Sequence, residues 1–450
     1  MENVGYINQN HELVPFRIAF TTLGCKVNRY ETDSVQQAFE SLGFQIVNAD
    51  QEADVYIVNT CTVTAEADRK SGQMIRRAGR LRKDAIVASM GCRTEILKKQ
   101  NENTIADINV GTSDRMDIVQ KITDCLKEKY GASYFSDSKS QSAVLPANTE
   151  PVVSQEESRA YIKIEDGCDL FCSYCIIPYA RGKVKSRPEA EIIKEAQALA
   201  NKGFREIVLT GIHLCSYGKD INRGIDYLAE LLENIAKIDG IKRIRLGSLE
   251  PKSITEEFIS RISRIDKLCA HFHMSLQSGS KSVLERMNRQ YNPEDYEKTI
   301  HLLRTYFPDC GLTTDIIVAF PGESDTEHKE SLSFCEKIAF SGIHVFPYSE
   351  RKGTRAAKIL PKISSQISEK RKHEFLLLAK QLKENFSEKW IGKICEVIIE
   401  EKPDQYGYSG YSREYIRTHL GRDQIISPKE PCNIKIEKAL SGELYGVALL

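Results

Sequence analysis

The sequence predicts an α/β protein in three parts: an N-terminal parallel-sheet α/β domain, a central partial barrel of six strand–helix units, and a small C-terminal β-barrel. Three observations carry this reading. Apolar runs alternate with amphipathic helical stretches twice along the chain, and parallel strands need such crossovers. After residue 389 the pattern changes to short strands separated by turn residues. Cysteines recur just past predicted strands, where ligands sit in open α/β sheets.

The first domain spans residues 16–130. Ile18–Phe20, Val55–Val58, Ile86–Ala88 and Ile108–Val110 read as short buried strands. Glu31–Ser41, Glu66–Arg82 and Arg115–Lys129 read as the helices between and after them. Cys25, Cys61 and Cys92 each follow one of the first three strands, at a turn into a helix. Neighbouring parallel strands lie about 5 Å apart, so three such turns can gather three thiolates on one rim. Helix N-termini there favour a negatively charged group. Singly, each cysteine also reads as a core residue, since free Cys is often buried. Their repeated place relative to the strands argues for one shared site.

Residues 131–158 carry few large apolar side chains and read as a linker. The second domain, 159–388, opens with Tyr161–Ile164 and runs through strands Glu206–Leu209, Ile241–Leu246, His271–Met274, Leu312–Val318 and Gly342–Phe346. Directly after its first strand come Cys168, Cys172 and Cys175, at C-x3-C-x2-C spacing. Three thiolates so close can hold three irons of one cubane cluster and leave the fourth iron open. A zinc knuckle is the other reading. Zinc closes its structural sites with four ligands, and His213 and Cys215 lie far downstream. Barrel sites form at the carboxyl ends of strands. Gly, Ser and polar residues cluster there, including Gly211, Glu250, Gln277 and Ser278. His213 and His273 read as polar rim residues, and the seven remaining cysteines as small apolar ones.

Past the motif, Arg181, Lys183, Lys185 and Arg187 alternate with no acid among them. In an extended segment such spacing puts all four on one face, suited to phosphates. Arg76, Arg77, Arg80, Arg82 and Lys83 make a second basic run. Both also read as ordinary solvated charge. Gln366–Trp390 reads as one long connecting helix. In the last part, 389–450, Tyr411, Arg413 and Tyr415 alternate aromatic and basic on one predicted strand face. That face can stack on bases and pair with phosphates, or be an amphipathic edge.

Composition bounds the function. The 450 residues carry 63 Lys plus Arg and 63 Asp plus Glu, so bulk charge drives no binding and any nucleic-acid contact is local. Thirteen scattered cysteines are not a disulfide framework; they read as metal or catalytic thiols of a reducing compartment. No signal peptide or run of about 18 apolar residues is present, so a cytoplasmic protein is expected.

The motifs Thr22-Leu23-Gly24-Cys25-Lys26-Val27-Asn28, Asn59-Thr60-Cys61 and Gly91-Cys92, ahead of Cys168, Cys172 and Cys175, resemble those of the methylthiotransferases. These are radical S-adenosylmethionine (SAM) enzymes, and the wording is most similar to their bacterial MtaB branch. The resemblance covers nearly the whole chain. It implies two [4Fe–4S] clusters, a radical one on Cys168, Cys172 and Cys175 and an auxiliary one on Cys25, Cys61 and Cys92. It implies a SAM pocket with Tyr174 near the adenine and Gly211, Glu250, Gln277 and Ser278 as lining, and a C-terminal TRAM domain that binds RNA. The implied reaction methylthiolates C2 of N6-threonylcarbamoyladenosine at tRNA position 37, with one SAM as radical source and another as methyl donor. Partners would be tRNA, an electron donor such as flavodoxin or ferredoxin, and a sulfur source. Relatives acting on isopentenyladenosine or on a ribosomal-protein aspartate share this machinery. A non-catalytic iron–sulfur RNA-binding protein is the alternative of another class.

Overall fold

The computed structural model describes residues 5–7, 13–102, 104–131, 158–400, 407–421 and 429–449. The chain forms two compact units: residues 1–153 with 175–183, and residues 154–174 with 184–450. The stretch 175–183 thus leaves the expected second domain for the first unit. Most of the expected linker, 132–157, lies outside the described residues.

In the first unit a five-stranded parallel sheet runs in the order Gln45–Val47, Arg17–Thr22, Val55–Thr60, Ile86–Gly91, Ile108–Asn109. Val55–Thr60 and Ile86–Gly91 are buried along their whole length, as interior strands covered on both faces must be. Val55 and Ile57 join a core with Val35, Phe39, Ile118 and Ile122. Tyr56 and Val58 face the other way, toward Ile75 and Ala78. Several elements lie outside the sequence expectation, among them the antiparallel pair Gly5–Ile7 and Leu13–Pro15. Gln45–Val47 is a three-residue edge strand with an exposed first residue, too short to show a period. Cys92–Lys99 is a helix that begins on a cysteine, without a capping side chain.

In the second unit all six expected barrel strands form, and all pair in parallel. Arg159–Lys163, Glu206–Thr210 and Arg243–Leu246 make one three-stranded sheet; Ser248–Leu249, His271–Met274, Gly311–Val318 and Gly342–Pro347 make the next. The long helix Ser365–Glu388 packs on the last of these strands. The C-terminal part closes into a five-stranded barrel around Val397, Ile399, Ile434, Ile436 and Leu444.

The expected strand Tyr411–Arg417 is instead a hairpin: Tyr408–Ser412 and Arg417–Leu420 flank a turn in which Tyr415 adopts φ of 71°. This turn packs against the amino ends of the larger barrel's strands. Arg245 donates to the carbonyls of Arg413 (3.0 Å) and Ser412 (3.1 Å), and Arg243 to that of Tyr411 (3.0 Å). Gly311 must be glycine, because a Cβ there would stand 2.1 Å from the Glu414 carbonyl oxygen. Tyr411 and Tyr415 stack on each other at 4.7 Å, Arg159 lies 4.7 Å over Tyr411, and Tyr415 stacks on His271 at 4.7 Å. Arg413 donates to the Leu268 carbonyl at 2.7 Å. The trio Tyr411, Arg413 and Tyr415 is therefore half-buried, its rings and guanidinium engaged by other parts of the protein. The expectation of one continuous strand face is corrected: the turn reverses the chain, and the rings stack at the barrel floor.

Glu206 is the charge that makes this floor possible. It pairs with Arg245 at 2.7 Å, both side chains 1% exposed, and sits 3.5 Å from buried Arg243. Burial pushes its carboxyl pKa up, but Arg245 and Arg243 outweigh this and the net shift is downward. The pair's contribution is accordingly present at neutral pH and lost as pH falls through the carboxylate range. Glu206→Gln strands the buried Arg245 guanidinium and leaves Arg243 with Glu396, at 2.8 Å, and we expect a loss at the lower end of about 3–5 kcal/mol, read by denaturant unfolding of the full chain.

Candidate active site

The first thiol group follows from the parallel register. Thr22 pairs with Asn59 and Thr60 with Gly91, so the three strands end side by side. Cys25 is the N-cap residue of helix Lys26–Ser41. Cys61 is buried, with its backbone N–H on Ser71 Oγ at 3.1 Å. Cys92 opens its helix after Gly91, whose φ is 95° and where a Cβ would lie 2.3 Å from Asn59 Oδ1. Burial pushes the Cys92 thiol up to about 12, opposed by the Arg181 charge, and raises Cys61 as well; the neighbouring thiols raise these two further. Such a rim favours thiolates only when a cation joins it, which is what a metal cluster provides. The donor set therefore fits a cluster with three protein ligands.

Arg181 lies in this group and not on a phosphate-binding face. Its side chain is 0% exposed. Nε donates to Cys92 Sγ (3.2 Å), Nη1 to Glu31 Oε1 (2.8 Å), and Nη2 to Asn28 Oδ1 (2.8 Å) and Glu31 Oε2 (3.1 Å). The extended segment expected around it is a helix, Ile177–Arg181, followed by the short strand Lys185–Ser186. The four basic residues thus share no face. Lys183 and Lys185 are exposed, while Arg187 pairs with Glu195 at 2.8 Å. Of the other basic run, Arg82 pairs with Asp54, and Arg76, Arg77 and Arg80 are exposed on their helix. Asn28 ties the loops together: Nδ2 donates to the carbonyls of Leu23 (2.8 Å) and Thr60 (3.1 Å).

The second thiol group sits on the loop after the short strand Glu165–Asp166. Ser173 fastens this loop, with its N–H on the Met287 carbonyl (2.8 Å) and its hydroxyl on that of Arg286 (2.8 Å). Burial pushes the Cys168 thiol up to about 11. Arg289, nearly buried, donates to Cys172 Sγ at 3.2 Å and pairs with Glu250 at 2.6 Å. Glu250, expected as cofactor lining, thus reaches the cysteine loop through Arg289. Tyr174 packs with Val283, Met287 and Phe320. Gly211 makes room for Glu165, whose Oε1 would be 2.1 Å from a Cβ there. Gln277, with φ of 71°, bonds through its backbone to strand Gly311–Val318, and Ser278 accepts the Ser280 N–H at 3.2 Å.

Two residues that the sequence reading passed over stand out. Burial pushes the Glu165 carboxyl up to about 8, and the His213 ring down to about 4. His213, expected on the rim, is half-buried. Glu165 Oε2 and His213 Nε2 have no hydrogen-bond partner among the described residues. They flank the start of the cysteine motif, and a polar ligand such as SAM can satisfy both. Glu165 stands three residues before Cys168, which was the one signal available.

A family profile of the radical SAM superfamily matches residues 162–335, and one described as uncharacterized protein family UPF0004 matches 17–111. With the partial barrel and its cysteine loop, these define a radical SAM enzyme that carries a further N-terminal α/β domain. Over 94% of both chains it is 38% identical to the threonylcarbamoyladenosine tRNA methylthiotransferase MtaB of Bacillus subtilis. It is 36% identical to the protein of that name from Aquifex aeolicus, over 86% of this chain and 93% of that one. A tRNA-2-methylthio-N(6)-dimethylallyladenosine synthase of Alkaliphilus oremlandii is 33% identical over 95% and 91%. The chain belongs to the radical SAM methylthiotransferase family. Enzymes of this family use SAM and [4Fe–4S] clusters. Among solved structures, the radical SAM methyltransferase TsrM of Kitasatospora setae shares the fold, with a TM-score of 0.50 and 16% identity over 73% of this chain and 72% of that one. No helix among the described residues is long and apolar enough to cross a membrane.

Proposed function

We propose that this enzyme methylthiolates C2 of N6-threonylcarbamoyladenosine at position 37 of tRNA. The observation that carries the reading is the pair of thiol groups, one past the ends of three parallel strands and one on the loop after Glu165–Asp166, in a chain similar throughout to methylthiotransferases of that name. Cys168, Cys172 and Cys175 hold the radical cluster, and Cys25, Cys61 and Cys92 the auxiliary one. When bound, the clusters and SAM supply radical generation and the sulfur and methyl groups. The protein's part is to orient and to shield. Arg289 holds Cys172 and Glu250 in one buried network. Arg181 holds Cys92, Glu31 and Asn28 in another. Glu165 and His213 offer polar atoms to the SAM amino-acid or ribose groups. Exposed Lys183 and Lys185 serve RNA phosphates, in place of Arg181 and Arg187. On the C-terminal barrel that role moves from the half-buried hairpin to exposed Lys435 and Lys438, the latter 5.3 Å over the Tyr445 ring. A one-electron donor such as flavodoxin or ferredoxin and a sulfur source complete the reaction.

Relatives with the dimethylallyladenosine name match almost as well, which keeps that substrate as the second reading. Nucleosides from a deletion strain separate the two by mass spectrometry. We expect the methylthio-threonylcarbamoyl species to vanish and the methylthio-isopentenyl species to persist. The reverse result overturns the assignment.

A further inference from the structure

The inner wall of the larger barrel carries a polar group that neither thiol site uses. His273, Asp315 and His344 come from three consecutive parallel strands. His273 pairs in register with Thr313, and Asp315 with His344. One ring nitrogen from each histidine and one carboxylate oxygen of Asp315 lie within 4.8 Å of one another. His273 Nε2 stands 3.3 Å from Asp315 Oδ2, and its Nδ1 lies 3.0 Å from Thr313 Oγ1.

The alternation of a strand places these side chains inside. Phe272 and Met274 are fully buried, with Phe272 against Phe307 at 4.9 Å. Their neighbours His271 and His273 therefore point to the opposite, inner face. His271 is the floor, stacked on Tyr415. His273 stands one step above it, and Ser275, at the rim, one step further. The wall opens toward the last strand, where His344 is exposed and Phe346, two residues on and so on the same face, is 44% exposed.

We propose that His273, Asp315 and His344 form the subsite that recognises the amino-acid-bearing substituent on the substrate base, with Phe346 as a flat apolar surface beside it. This rests on the threonylcarbamoyl reading above. The chemistry matches group by group. The substituent carries a carboxylate, which imidazole N–H groups can donate to. It also carries N–H groups and a hydroxyl, which the Asp315 carboxylate can accept from. An isopentenyl group offers none of these and would cover the three polar side chains without hydrogen-bonding to any of them. A site built from donors and acceptors rejects an analogue that lacks the partners far more strongly than an apolar pocket rejects an extra group.

The test is binding by the full chain, measured by fluorescence anisotropy with three anticodon stem–loops that differ only at position 37: threonylcarbamoyladenosine, plain adenosine and isopentenyladenosine. We expect the wild type to prefer the first over plain adenosine by about tenfold or more. His344→Leu and Asp315→Leu should bring that ratio to about one, while His344→Gln, which keeps a donor, retains part of it. Circular dichroism and iron content show that the variants fold. If the wild type prefers the threonylcarbamoyl loop and both Leu variants keep the preference, the subsite is wrong and the substrate reading stands. If the wild type prefers the isopentenyl loop, the substrate reading falls and the subsite with it. Two imidazoles and a carboxylate can also hold a divalent cation. One equivalent of bound zinc, lost in both Leu variants while the loop preference is unchanged, would overturn the proposal in favour of a metal site.

Discussion

Cys25→Ala is expected to abolish methylthio product while reductive cleavage of SAM persists. Cys25 is the exposed member of its trio, caps its helix through the backbone and makes one long side-chain hydrogen bond, to Asn28 Oδ1 at 3.7 Å, so its loss disturbs no apolar core. Two thiolates, Cys61 and Cys92, remain, one donor short of a three-ligand site. Loss of an outer-shell partner typically costs a metal site about 10–100-fold. Loss of a ligand itself should exceed that, and we expect product to fall by more than about 100-fold. Iron should drop from about eight to about four per chain, on four irons per cubane. Meanwhile 5′-deoxyadenosine should still form, because Cys168, Cys172 and Cys175 are untouched. Cys172→Ala, by contrast, should remove both products. A Cys25→Ala enzyme that makes full methylthio product with eight irons would remove Cys25 from the site.

The residues of this prediction were legible because their signals are local. Three cysteines in one short segment, and three cysteines each one turn past an apolar run, can be found without knowing how the chain packs. The central strands of both units were legible for the same reason: Val55–Thr60 and Glu206–Thr210 are short apolar runs buried along their length. Arg181 was not legible. Its neighbours read as an extended basic run, and only the helix Ile177–Arg181, with Ile176, Ile177 and Ala180 packed beside Cys92 and Ile96, turns it inward. Tyr411, Arg413 and Tyr415 failed in a related way. Aromatic–basic alternation describes a strand face equally well whether nucleic acid or another part of the protein covers it. The positive φ at Tyr415 breaks the strand, and no glycine or asparagine marks that break in the sequence. Glu165 and His213 were missed because an orphaned polar atom is a property of packing.

The second large effect falls on Arg181. Arg181→Met removes a guanidinium with no exposed surface and leaves the Glu31 carboxylate, 2% exposed, without its two-pronged partner. Breaking a buried pair from one side costs about 3–5 kcal/mol. Arg115 also reaches Glu31, at 3.1 Å, which places the expected loss at the lower end of that range. The double change Arg181→Met with Glu31→Leu removes both charges and should recover part of it. Stability is only half of the expectation. Arg181 also donates to Cys92 Sγ, and hydrogen bonds and positive charge at a cluster's sulfur ligands raise its reduction potential. The auxiliary cluster of a reconstituted Arg181→Met enzyme should therefore titrate at a lower potential than the wild type, followed by electron paramagnetic resonance, with the radical cluster unmoved. Arg181→Lys sharpens the point. It restores the charge, but a single ammonium cannot reach Cys92, Glu31 and Asn28 together as the planar fork does. It should recover stability better than potential if the bond to sulfur is what matters. A purely structural role predicts the opposite pattern: melting temperature falls in Arg181→Met while the auxiliary potential stays at the wild-type value, and that outcome would leave Arg181 as a packing residue that happens to end near a thiol.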